Sequence, residues 1–356
     1  MSKTFNLKKF IFILFILPTL CACGGGGGDG SSSNSDSPGL GGVPVDAMEV
    51  HKPDDEIDYY WLTYLPGSLS KSSMNYIVVE GSAGVQTNDY QESVDEAKRQ
   101  FNNPLPTSMR TNGFIYLRPV FPHPKADETA SINDYSRYPQ GLYYGSFVTE
   151  NEFKKRPDLK LNKMLDRYIA DLRADGYNIS DKVFMFGFSI SGAFAIHYAA
   201  VHPERVQAIA PGSPRFMAIP AATYNGTEVN WPVGIADLFD ISGKQFNFDQ
   251  FKQIPMFLFI GEEDETTPVP GYNSGPPFWT PSGETFLSTQ ANFIHDEFGI
   301  SESALGKDQV DIMEASAEYY SSLGIPIELE IYSGLGHTQF DSRITEDVTD
   351  FFLDNR

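Results

Sequence analysis

From Ile57 onward, short apolar runs alternate with stretches in which apolar residues recur every three or four positions. The first pattern reads as buried strands and the second as helices packed by one face. Strands are predicted over 59–65, 76–79 and 114–117. Leu161, Met164, Leu165, Tyr168, Ile169 and Leu172 keep helical spacing up to Asp175-Gly176, where the glycine ends the helix. A strand over 183–186 leads into a helix opening near Gly192, and further strands follow over 206–210, 255–260 and 327–332, the last alternating apolar and acidic positions. A final helix covers 344–353 through Ile344, Val348, Phe351 and Phe352. This order predicts an α/β fold, a mostly parallel sheet covered by helices.

Two stretches break the alternation. Residues 212–252 and 266–290 are rich in Pro, Gly and aromatics, among them Phe216, Trp231, Phe239, Tyr272, Phe278 and Trp279. They are expected either as lid-like insertions above the strand ends or as aromatic core packing.

The beginning of the chain has a different character. Lys3, Lys8 and Lys9 precede an apolar stretch over 10–20 that is short for a permanent membrane span and reads as an export signal. It ends Leu20-Cys21-Ala22-Cys23, which resembles a bacterial lipobox and makes Cys23 the expected lipidation site. A Gly/Ser-rich stretch follows with the composition of a flexible tether. The expected division is therefore a signal peptide over 1–22, a tether over 23–50 and a catalytic domain over 51–356, held in the bacterial cell envelope by a lipid anchor. Cys21 and Cys23 are the only cysteines, so no disulfide staples the domain and a hydrophobic core must stabilise it. Roughly 330 residues suffice for one.

The formal charge is −21, and losing residues 1–22 removes three lysines and no acids, giving −24. So acidic a surface argues against nucleic acid as a partner. No residue cluster has metal-ligand spacing, and no cofactor is expected.

The chemistry concentrates in Val183-Phe184-Met185-Phe186-Gly187-Phe188-Ser189-Ile190-Ser191-Gly192. An apolar strand meets a small-residue turn carrying Ser189 and gives way to a helix, the order of a nucleophile elbow. A serine needs a base to take its proton and a carboxylate to orient that base. The turn after 255–260 offers Glu262, Glu263, Asp264 and Glu265, and the strand over 327–332 is followed by Ser333-Gly334-Leu335-Gly336-His337. Of the six histidines only His337 has that address; His197 and His202 lie on or near the helix after Ser189, where a packing or surface role is expected. Two backbone N–H groups should face the oxyanion, one from Ile190 and one from Gly81 or Ser82 after the strand over 76–79.

Together, Gly187-Phe188-Ser189-Ile190-Ser191-Gly192, Gly261-Glu262-Glu263-Asp264 with Pro268, and Gly336-His337 resemble the α/β-hydrolase superfamily over about residues 55–356. Tyr60-Trp61-Leu62-Thr63-Tyr64-Leu65-Pro66 looks like the opening of secreted feruloyl esterase and polyhydroxybutyrate depolymerase-type serine esterases. The resemblance implies Asp264 as the acid, and acyl transfer from a small-molecule or polymeric ester through Ser189. Two positions depart from the pattern: Ser191 stands where a second elbow glycine is usual, and Glu80 where many relatives have histidine. The rival expectations are a serine peptidase, which would usually carry an additional specificity domain, and a surface lipoprotein that binds without turnover.

Overall fold

The structure, a computed structural model, describes residues 42–81, 87–123, 139–264 (215–216, 219, 225–226 and 233 excepted) and 309–356. The signal peptide, Cys23, Ser82, Glu265, Pro268, His295 and the whole of 266–290 lie outside the described residues.

Eight strands form one sheet: β1 (Met48–His51), β2 (Trp61–Tyr64), β3 (Ile77–Glu80), β4 (Ile115–Pro119), β5 (Val183–Phe188), β6 (Val206–Gly212), β7 (Met256–Gly261) and β8 (Ile327–Tyr332). Their order across the sheet is β1-β2-β4-β3-β5-β6-β7-β8. The pairs β1–β2 and β2–β4 are antiparallel, and every later pair is parallel. Among the described residues the α-helices are α1 (Tyr90–Gln100), α2 (Pro104–Thr111), α3 (Tyr144–Val148), α4 (Pro157–Ala174), α5 (Ile190–Val201), α6 (Leu238–Ser242), α7 (Phe248–Phe251), α8 (Gln309–Ser322) and α9 (Ser342–Asp354).

Side chains alternate between the faces of a strand, and the central strands bury both. On β5, Val183 and Met185 join Leu161, Leu165 and Phe194 of α4 and α5, while Phe184, Phe186 and Phe188 join Leu105, Met109, Ile344 and Phe352 of α2 and α9. On β7, Met256, Leu258 and Ile260 face the first group, and Phe257 and Phe259 the second. Only β8 keeps a one-sided pattern, with Glu328 and Glu330 exposed, as suits the charged edge of a sheet.

One boundary moves. The compact unit begins at Gly42 rather than at 51, because Met48–His51 pairs with Trp61–Tyr64 and extends the sheet. Of the two irregular stretches, 212–252 contributes several side chains to the core: Trp231, Leu238 and Phe251 are buried, and Trp231 Nε1 donates to Leu142 O at 2.9 Å. Phe239, by contrast, stands exposed.

Candidate active site

Parallel β5, β6, β7 and β8 all end on the same edge of the sheet. In an open α/β sheet this is the edge where ligands bind. Ser189 follows β5, Asp264 follows β7 and His337 follows β8.

Ser189 has φ 58° and ψ −123°, a conformation that side-chain-bearing residues rarely adopt. Close packing holds it there. A Cβ on Gly187 would overlap the Ser191 carbonyl, and a Cβ on Gly192 would lie 2.9 Å from Gly212 O. The serine at 191 has its own use: its hydroxyl accepts from Phe188 N–H and donates to Phe188 O, both at 2.9 Å. That side chain closes the turn from inside, which explains why a serine serves where a glycine is usual. Helix α5 starts at Ile190, so the Ile190 N–H has no intrahelical acceptor and sits at the positive end of the helix dipole.

The turns after β7 and β8 are laced together. Glu262 N–H donates to Tyr332 O at 2.9 Å and Glu263 N–H to Leu335 O at 2.7 Å. The Glu262 carboxylate accepts from Ser333 Oγ at 2.5 Å and from Gly334 N–H at 3.3 Å. A side chain at Gly261 would overlap the Leu335 and Gly336 carbonyls, so only glycine permits this approach. Asp264 is then fully buried, and His337 Nδ1–H donates to its Oδ2 at 2.9 Å. The acceptor fixes the tautomer and leaves Nε2 as the basic nitrogen. The imidazole lies against the Phe188 ring, with 4.6 Å between centroids, at the residue before Ser189.

Several rival acids and histidines have places of their own. Glu262 braces the His337 turn, and Glu263 is exposed. His197 is buried and donates from Nδ1 to Gly141 O at 2.7 Å; burial pushes its pKa down to about 4. His202 is buried against Asp158, Nε2 to Oδ2 2.8 Å, and Arg156 closes the same carboxylate from Nη2 at 2.8 Å. His51 belongs to β1 and stacks on Trp61.

One expected oxyanion donor is corrected. Gly81 N–H donates to Phe186 O at 2.8 Å, extending the β3–β5 ladder, so it is not available to a substrate. Gly81 serves by lacking a side chain: a Cβ there would lie 2.8 Å from Ser191 Cβ. Ser82 lies outside the described residues.

Glu80, just before this loop, is buried. Its Oε1 lies 3.0 Å from Arg118 Nη1, off the line of the N–H, so the contact is an ion pair rather than an aligned hydrogen bond. Tyr116 donates its hydroxyl to Glu80 Oε2, and Arg118 Nη2 donates to Gln100 Oε1. Burial, and then the Glu80 carboxylate, hold the Tyr116 pKa well above its ordinary value, so the phenol stays a donor. The pairing could not be read from spacing, because Glu80 and Arg118 meet only through the β3–β4 register.

No known family profile matches the chain, and no curated protein matches it by sequence. Solved structures do match by fold. A poly(aspartic acid) hydrolase-1 from Sphingomonas sp. KT-1 aligns with TM-score 0.52 and 13% identity over 86% of this chain and 98% of that one. A poly(3-hydroxybutyrate) depolymerase from Bordetella parapertussis aligns with TM-score 0.50 and 16% identity over 87% and 89%. With the strand order and the helices on both faces, these likenesses establish the α/β-hydrolase fold. Among the described residues there is no cluster suited to a metal ion, and no helix long and apolar enough to cross a membrane.

Proposed function

We propose that this chain is an exported serine hydrolase that cleaves carboxylic esters through an acyl-enzyme. The observation that carries the reading is the strained Ser189 at the junction of β5 and α5, with the His337–Asp264 pair lying over Phe188 beside it. In the reaction Ser189 Oγ attacks the ester carbonyl while His337 Nε2 takes its proton. Asp264 holds the imidazole and balances its charge. The Ile190 N–H stabilises the oxyanion, and Ser82 is the remaining candidate for the second donor. The imidazolium then protonates the leaving alcohol, and water, deprotonated by the same ring, releases the acid. The substrate is a small-molecule or polymeric ester; the solved neighbours, named for polymer hydrolysis, make the second a reasonable first choice. We extend the proposal to location: a lipid on Cys23 tethers the domain in the cell envelope.

The test is hydrolysis of p-nitrophenyl esters across acyl lengths. The mature domain should turn them over, Ser189→Ala should abolish turnover, and Asp264→Asn should lower kcat by roughly 10⁴-fold, the loss expected when the orienting carboxylate of such a triad is neutralised. Undiminished turnover by Ser189→Ala would overturn the reading. A fluorophosphonate that fails to label Ser189 would favour a binding protein, and cleavage of aminoacyl anilides in place of esters a peptidase. Cys23→Ser should abolish lipid incorporation.

A further inference from the structure

Strand β6 ends in the gap that the site groups bridge. Its neighbours are β5, which carries Ser189, and β7, which leads to Asp264. His337 comes from β8, on the far side of β7, yet its ring rests on Phe188 of β5. The imidazole therefore spans the end of β6. Backbone bonds fix that end on both sides: Ser189 N–H donates to Gly212 O at 2.8 Å, and Ser213 N–H donates to Phe259 O at 2.7 Å. The register therefore sets Ser213 beside Ser189 on one side and Ile260 on the other, about one strand spacing, ~4.8 Å, from each.

Two properties of Ser213 are costly to the fold. Its φ is 39°, in the region that favours glycine. Its hydroxyl is buried, with the residue 1% exposed, and has no hydrogen-bond partner. A glycine would remove both costs. Ser93 and Ser146 also bury unpartnered hydroxyls, but among the described residues only Ser213 combines one with positive φ. The other serine with positive φ is Ser189, at the end of the adjacent strand. Strain and an unpaired polar group together at a site edge point to a use in turnover rather than in folding.

We propose that Ser213 is a positioning residue for the His337–Asp264 pair, its hydroxyl donating to the Asp264 carboxylate when the imidazole has taken up the Ser189 proton. In this proposal the hydroxyl turns about χ1 toward the carboxylate, which follows β7 on the neighbouring strand. The donor holds the carboxylate in line with the ring while opposite charges face each other across the 2.9 Å bond. This inference rests on the serine hydrolase reading.

The experiment compares Ser213→Gly and Ser213→Ala with the parent and with Ser189→Ala, by ester kinetics and thermal unfolding. Ser213→Gly should unfold at a higher temperature than the parent yet have a kcat lower by roughly tenfold, the scale of one hydrogen bond to a charged group, with KM unchanged. Ser213→Ala should lose kcat similarly. The rate of fluorophosphonate labelling at Ser189, which depends on the same base, should fall in parallel. Parental kcat in both Ser213 variants, or a loss confined to KM, would overturn the proposal. Turnover retained by Ser189→Ala would instead sink the hydrolase reading itself, so the two failures are distinguishable.

Discussion

Replacing Glu80 with leucine tests the buried pair at the end of β3. Arg118 is 1% exposed, and the nearest carboxylate is Glu80 at 3.0 Å. Removing one partner of such a pair strands the other charge in a low-dielectric interior, at a cost of about 3–5 kcal/mol. The Tyr116 hydroxyl also loses its acceptor, which adds about 1 kcal/mol or more. Glu80→Leu should therefore cost about 4–6 kcal/mol. Adding Arg118→Met removes the stranded charge and replaces the pair with apolar volume, a change that is often neutral or stabilising. Because the ion pair is not an aligned hydrogen bond, little directional energy is forfeited. The double variant should return to within about 1–3 kcal/mol of the parent, the residue being the unpaired phenol, and Tyr116→Phe should recover most of that. Urea titrations followed by tryptophan fluorescence and far-ultraviolet circular dichroism give the free energies, with coincident curves as the condition for reading them. A cost below about 1 kcal/mol for Glu80→Leu, or no recovery on adding Arg118→Met, would refute the reasoning.

Acid should destabilise the fold in a definite window. Burial pushes His51 and His197 down to about 4, His51 being helped by the Arg167 cation. The folded pKa lies below the unfolded value near 6.5, so the stability is fully present above about pH 6.5 and is lost as pH falls toward 4, at up to about 1.4 kcal/mol per pH unit for each histidine. Denaturation at pH 7, 5.5 and 4.5 should show this slope, and His51→Gln should flatten it; parallel slopes would refute the assignment. At the elbow, Gly81→Ala places a Cβ 2.8 Å from Ser191 Cβ and should cost about 1–3 kcal/mol. Ser191→Gly removes that contact, so the double variant should be less destabilised than the sum of the singles; strict additivity would show that the two positions do not touch.

Much of this was legible because buried strands and their turns obey strong local rules. The run 327–332 alternates so regularly that prediction and strand coincide, and the strand over 183–186 extends only to Phe188. What escaped had weak local signals. Helix α1 buries only Ser93, Val94 and Ala97, too few apolar positions to show a period. Helix α2 opens Pro104-Leu105-Pro106, which reads as a turn although proline is tolerated in a first helical turn. Strand β1 is four residues at the sheet edge, with only half-buried side chains behind its pattern. Ser189, Asp264 and His337 were visible as residues following strands, whereas the commitment of Gly81 N–H to Phe186 depends on register and could not be. Ser213 carried one signal that went unused: it follows the strand predicted between those of Ser189 and Asp264.

The lacing of the turns also divides the site mechanically. Asp264 and His337 belong to one hydrogen-bonded unit, tied by Glu262, Glu263, Ser333 and Gly334. Ser189 belongs to another, the elbow closed from within by Ser191. Between them runs the end of β6, where Gly212 accepts from Ser189 and Ser213 donates to Phe259. A Cβ at Gly212 would overlap the Phe259 ring, so that stretch is packed as tightly as the elbow itself. Changes at Glu262 or Ser333 should consequently disturb how the imidazole sits on its carboxylate, whereas changes at Gly212 should disturb how Ser189 sits relative to His337. In the proposed mechanism proton transfer needs the serine oxygen within hydrogen-bond reach of Nε2, so the second kind of change acts on the step that would make Ser189 a nucleophile at all.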